Sequence, residues 1–246
     1  MNEDRSTYNP WPLGKLPKEF QRPEIDQLRA KGYKIDDPRE ANALFERKLC
    51  DFTGAKYAVL IDNCTDANFL SLAYEYELWD PIVKRDKETV VIPARTYISV
   101  PQSIIQAKFS VRMVDYDWSG IFRFDPFRIY DAAARFTEGM YIPGTTMNLS
   151  FQIKKRLPIG KGGAILCDNI AAAEWYRKMT MQGRNVNLAY DQDIIEYMGY
   201  NMYMTPEDAA RGILLFDMLT AKGGTFEDTM NQDNYTDLRL QKVFNE

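Results

Sequence analysis

The chain has 246 residues, 45% hydrophobic and 27% charged, which suits one globular body with a substantial core. Its net charge of −4 carries no basic stripe, which argues against nucleic acid as a partner, and no apolar run reaches the roughly 20 residues of a membrane span. It contains no histidine; that excludes Ser-His and Cys-His nucleophile pairs, an imidazole base and the usual zinc sites, and leaves Lys, Asp, Glu, Tyr, Cys or a cofactor for chemistry near neutral pH.

Residues 1–35 hold four prolines and show no period, so they read as an extended N-terminal arm. The opening "MNEDRSTYNPWPLGK" is acidic and polar, unlike a secretory leader. Cys50, Cys64 and Cys167 are odd in number and lack metal spacing, which fits a reduced, cytoplasmic protein. From Asp36 to Gly54, a capping Asp, an early Pro, apolar Ala43, Leu44, Phe45, Leu49 and Phe52, and a closing Gly predict an amphipathic helix. "YAVLID" reads as a buried strand, followed by a helix from Thr65 to about Glu77. Strand "TVVIP", helix "VPQSIIQAK" and strands "SVRMVDYD", "FRIYDAA", "MNLSF" and "GGAILCDN" continue the alternation. A helix from Ile170 to about Met181 follows, and then one capped at Thr205 with Pro206, Glu207 and Asp208 in its first turn. The last twenty residues are polar and read as a tail.

Short apolar strands alternating with helices predict an α/β body with a mostly parallel, buried mixed sheet flanked by helices. Ligands of such sheets bind at the carboxyl ends of the strands, and several strand ends here carry unusual groups. Thr65 stands at a helix start, where free N–H groups suit a phosphate; its plain alternative is a helix cap. Asp66 beside it fits only if its carboxylate points away while its N–H donates. Tyr97 leaves the second strand where an aromatic could stack on a planar ring, or could simply be half-buried. Asp131 ends an apolar strand; a buried carboxylate needs a partner, either a protonated ring nitrogen or Arg135 nearby. Ser150 could bind phosphate, and Lys154 or Lys155 in "SFQIKKRLPIGKGG" could form a Schiff base, unless both are solvated loop charges. Together these groups make the parts list for pyridoxal 5′-phosphate (PLP).

The order and spacing resemble the DegT/StrS-type sugar aminotransferases, PLP enzymes of fold type I. The resemblance rests on "FTGAKYAVLIDNCTDANFLSLAYE", "VVIPARTYISVPQSIIQAKFSVRMVDYD", "IYDAAARF", "LSFQIKKRLPIGKGGAILCDN" and "MGYNMYMTPEDAARGILLFDML". It spans about residues 36–220. It implies a PLP-binding large domain over 36–220 after the 1–35 arm, then a short C-terminal tail over 221–246 with much of the small C-terminal domain missing. It implies Lys155, not Lys154, as the Schiff-base lysine. It further implies Asp131 as partner of the pyridine nitrogen, Tyr97 as ring stacker, Thr65 and Ser150 as phosphate ligands, and Cys64 and Asp66 as flanking backbone donors. Asn201 falls on a residue that reaches the phosphate of the other subunit, which implies a homodimer with shared active sites. Ala134 stands where the family carries a Gln or His against the ring hydroxyl, and Gln152 stands where it carries a His. The implied activity is transfer of an amino group from an amino acid, glutamate by expectation, to a keto sugar, nucleotide-linked by expectation. The alternative is a PLP-fold binding module or partner subunit without turnover.

Overall fold

The computed structural model describes residues 17–77, 88–221 and 227–244. Part of the predicted arm, residues 1–16, lies outside the described residues. The rest of that arm is not extended. Glu24–Ala30 forms a helix (α1) that buries Ile25 and Leu28. Arg22 ties the arm to the body, donating to Asp208 at 2.8 Å.

The long helix expected from Asp36 begins four residues later. The stretch around Pro38 makes a turn, and α2 runs Glu40–Thr53 with Ala41, Phe45, Leu49 and Thr53 buried at helical spacing. Gly54 ends it in the left-handed region, at φ 80°. Next come β1 (Tyr57–Ile61), α3 (Cys64–Glu77), β2 (Thr89–Pro93), α4 (Ser99–Gln106) and β3 (Ser110–Val114). A two-residue strand that the sequence pattern did not reveal, β4 (Phe122–Arg123), precedes β5 (Ile129–Asp131). β6 (Thr146–Ser150), β7 (Gly163–Cys167), α5 (Ile170–Thr180) and α6 (Pro206–Ala221) complete the body. Thr205 caps α6 as expected, its Oγ1 accepting from the Asp208 N–H at 3.2 Å.

The sheet corrects one expectation. Five strands pair in the order β1-β7-β6-β5-β4, and only β5–β6 is a parallel pair; β2 and β3 form a separate parallel pair. β7 runs against both its neighbours, β1 and β6. The reason lies in the connection. β6 reaches β7 through a loop without a crossover helix, and a neighbouring strand reached that way runs back antiparallel. That returning loop carries Lys154 and Lys155. The chain thus remains an α/β body with a mixed sheet, but antiparallel pairings predominate.

The body is layered. Ala58, Leu60, Leu149 and Leu166 on one sheet face pack with α1, α2 and α6. Val59, Ile61, Ile165 and Cys167 on the other pack with residues of α3 and α5. Alternate residues of one strand supply opposite faces, so a strand apolar throughout is covered on both sides. β2, α4 and the aromatic Phe122–Phe127 segment form a third cluster. Among the described residues no helix is long and apolar enough to cross a membrane.

Candidate functional site

The carboxyl ends of β1, β2, β5 and β6 open onto one cleft of about 580 Å³. Its walls include Cys64, Thr65, Tyr97, Asp131, Ala134, Ser150 and Lys155. These residues lie up to 91 positions apart in sequence. The sheet order brings them together, because each follows or ends a strand at the same edge.

Asp131 is the centre of the cleft's electrostatics. It is 5% exposed, and Asn68 Nδ2 donates to its Oδ2 at 2.8 Å while the Ala133 N–H donates to Oδ1 at 2.9 Å. Burial nevertheless holds its carboxyl above the usual range, against the lowering by these two donors and by the Lys155 ammonium. Arg135, the alternative partner, does not pair with it; Arg135 donates to both carboxylate oxygens of Asp228, at 2.8 and 2.7 Å. Asp131 therefore keeps an electrostatic demand that a cation entering the cleft would satisfy.

Behind Asp131 lies a buried relay that sequence reasoning missed. Asn148 Nδ2 donates to Asn68 Oδ1 at 2.9 Å, and Ser71 Oγ donates to Asn148 Oδ1 at 3.1 Å. The relay fixes the Asn68 amide so that its N–H faces the carboxylate. A signal was available: Asn148 is a lone amide in the apolar strand "TMNLS".

A second part of the cleft has the donors for an anion. α3 starts at Cys64 and α4 at Ser99, and the two helix starts converge: Thr65 Oγ1 and Ser99 Oγ lie 2.7 Å apart. Among the described residues the Cys64 and Thr65 amides have no acceptor. First-turn amides and hydroxyls of this kind suit a phosphate. Gly163 makes the approach possible. A Cβ there would sit 2.7 Å from the Leu149 carbonyl oxygen and 3.0 Å from the Cys64 nitrogen. Burial, then Asp131, pushes the Cys64 thiol well above its ordinary pKa, so it serves as a neutral wall.

Lys155 enters the cleft. Its ammonium acts on both Asp131 and Cys64, and its Nζ donates to Met230 Sδ at 3.7 Å. Lys154 also borders the cleft but is exposed, its N–H donating to Gln152 Oε1 at 2.8 Å, and it acts on neither Asp131 nor Cys64. Tyr97 is 59% exposed, at the rim. Ser150 lines the wall, and Ala134 presents only a methyl group.

Two expected residues are not brought in. The Asp66 N–H donates to Asn63 Oδ1 at 2.9 Å, and its carboxylate accepts from Asn63 Nδ2 at 2.6 Å. Its backbone donor is thus used in capping α3, which corrects its expected role. Asn201 is exposed and lines a smaller neighbouring cavity of about 240 Å³ with Asp62, Lys161 and Tyr203.

The residue groups fit PLP on the structure's own terms: a buried carboxylate that forms no ion pair with a Lys or Arg among the described residues, an amide and hydroxyl cradle, and an amine entering the same cleft. The model of the DegT/DnrJ/EryC1/StrS aminotransferase family matches residues 19–142 and 142–221. The chain belongs to this family. No curated protein of similar sequence was found. Among solved structures, the sugar aminotransferase CalS13 from Micromonospora echinospora is similar at TM-score 0.65 and 14% identity, over 80% of this chain and 65% of that one. AtS13 from Actinomadura melliaura matches at 0.64 and 18%, over 80% and 64%. Helicobacter pylori PseC, an aminotransferase involved in pseudoaminic acid biosynthesis, matches at 0.60 and 14%, over 84% and 64%. At these identities the likeness shows the fold, and family members of this fold span more chain: this one covers slightly under two thirds of each.

Proposed function

We propose that the chain is a PLP-dependent aminotransferase that passes an amino group from an amino acid, glutamate in our reading, to a keto sugar, nucleotide-linked in our reading. The observation that carries this is Asp131 buried, without a cationic partner of its own, in the cleft that Lys155 enters.

PLP, when bound, supplies an electron sink through its protonated ring nitrogen. The chain's residues do the rest. Asp131 holds the ring-nitrogen proton, and Asn68 with the Ala133 N–H orients its carboxylate. The amides of Cys64 and Thr65 and the hydroxyls of Thr65, Ser99 and Ser150 hold the phosphate. Tyr97, at the rim, would cover a ring face. Lys155 is the amine that would hold the cofactor, and its Nζ would serve as the proton-carrying base and acid of the cleft.

A homodimer with a shared site fits the same face. Asn201 follows, within seven residues of chain, exposed Ile194, at 85%, and Met198, at 95%. Large apolar side chains this exposed favour a covering partner. Free cysteines and the lack of a membrane-crossing helix among the described residues fit a cytoplasmic setting.

One observation favours a second reading, a PLP-fold binding module without turnover. Ala134 offers the ring hydroxyl no hydrogen-bond donor on its side chain. The experiment is spectroscopic. Purified protein given PLP should gain the visible band of covalently bound cofactor, and glutamate should then shift it. A coloured protein indifferent to every amino donor favours the module; a protein that takes up no PLP overturns both readings.

A further inference from the structure

The C-terminal stretch read as a polar tail is packed against the body. Thr229 N–H and Oγ1 both donate to the Ala134 carbonyl, at 2.8 and 3.1 Å. Gly120 N–H donates to the Met230 carbonyl at 3.1 Å, and Leu238 N–H to the Ala94 carbonyl at 2.9 Å. Arg156 donates to the Glu227 carbonyl at 2.7 Å. Asp228 is gripped by Arg135 and also accepts from Ser119 Oγ at 3.1 Å. Gly120, at φ 71°, lies so close to the strap that a Cβ there would sit 2.2 Å from Asp228 Oδ1 and push that carboxylate off its place.

This strap delivers three residues to the cleft wall: Met230, Asn234 and Tyr235. Tyr235 stacks on Trp118 at 5.8 Å, and its hydroxyl donates to Met230 Sδ at 3.0 Å. The same sulfur accepts from Lys155 Nζ. Burial, then Asp131, Tyr97 and Cys64, push the Tyr235 phenol up to about 12, so its proton stays available for donation. With the strap in place the cleft still measures about 580 Å³, within the range of small-molecule sites. The strap is therefore a wall of the site and not a plug.

We propose that residues 227–244 are a working part of the cofactor site: the Arg135–Asp228 pair clamps the strap, and through it Met230 and Tyr235 retain the bound phosphopyridine ring. This rests on the cofactor reading above. Because Ala134 contributes only its carbonyl to the strap and a methyl to the cleft, the strap supplies the nearby polar groups that this position lacks.

The test uses the full chain and pyridoxine 5′-phosphate, which has no aldehyde and so binds without linking to Lys155. Titration calorimetry gives its affinity, and hydrogen–deuterium exchange follows the Thr229 and Leu238 amides. Asp228→Asn and Arg135→Gln should each weaken binding about 10-fold and speed exchange at both amides. The charge swap Arg135→Asp with Asp228→Arg should recover a good part of both. Asp37→Asn, which breaks an exposed pair elsewhere, should change neither. Tight wild-type binding that both clamp variants match would overturn the inference and leave the cofactor reading standing. Unchanged exchange in both variants would overturn the clamp in the same way. A wild-type chain that binds neither PLP nor pyridoxine 5′-phosphate overturns the cofactor reading and this inference with it.

Discussion

Lys154 and Lys155 are neighbours in one loop, yet the structure gives them different surroundings. One is exposed above Gln152, while the other feels Asp131 and Cys64. Lys155→Ala should therefore abolish the visible band of bound PLP, and Lys154→Ala should leave it; loss in both or in neither would refute the assignment. Asp66 offers a prediction that needs no cofactor. Burial first, then the neighbouring Asp62, raise its pKa from 3.8 to about 6. A raised carboxyl pKa means the folded state binds more protons than the unfolded one between those values, so its contribution to stability falls as pH rises from about 4 to 6. Asp66→Asn keeps the acceptor for Asn63 and offers Asp62 a donor. Its stability at pH 7 should rise by on the order of 1 kcal/mol after discounting for the group's partial exposure, raising its melting temperature, and its pH dependence between 4 and 6 should flatten. Thermal melts across that range check this; an unchanged slope would count against the raised Asp66 carboxyl. Sequence singled out Asp131 because a carboxylate is costly at the end of an apolar strand, left Lys154 and Lys155 both open, and chose Lys155 only through the family resemblance. It missed Asn68, Met230 and Tyr235, because an amide, a thioether and a phenol are ordinary residues until something places them beside a buried carboxylate.

At the scale of elements, the strands and helices were readable because their period matches their burial. β2 (Thr89–Pro93) coincides with its predicted bounds. Of the apolar residues expected on α2, Phe45 and Leu49 are buried, Leu44 and Phe52 are half-buried and Ala43 is exposed, because the stripe is centred on Ala41, Phe45, Leu49 and Thr53. β4 was invisible because two residues carry no period. The pairing directions were also missed. Directions depend on how a connection folds back, which the strands' own residues do not encode. Gly163 shows the coupling between element and site. It starts β7 and lets that strand lie against the Asn63–Cys64 turn. Gly163→Ala should cost about 1–3 kcal/mol through overpacking, and it should weaken phosphate binding by pushing the Cys64 amide aside. Denaturant unfolding together with inorganic phosphate or PLP titration checks both effects. An alanine variant of wild-type stability with intact uptake would show that the close approach is unimportant.

For the whole molecule, the question is what completes the site. Within its own chain Asn201 faces the smaller cavity and not the cleft. If it serves a partner subunit, Asn201→Ala should speed cofactor loss in a dimer while leaving each subunit's fold intact. Sedimentation combined with the off-rate of PLP decides this: a monomer that retains PLP as well as the dimer would remove the shared site. The strap belongs to the same scale, since its anchors at Ala94, Gly120, Ala134 and Arg156 come from four separate segments.

The sequence alone determined the alternation of buried strands and helices, the absence of imidazole chemistry, and the order of the chemically costly residues along the chain. These follow from local spacing and residue type. Only the tertiary structure decided that β7 runs backwards, that Arg135 pairs with Asp228 and not with Asp131, and that the polar C-terminal stretch walls the cleft. Each of these is a choice between partners far apart in the chain, and burial and geometry settle such choices where local pattern has nothing to distinguish them.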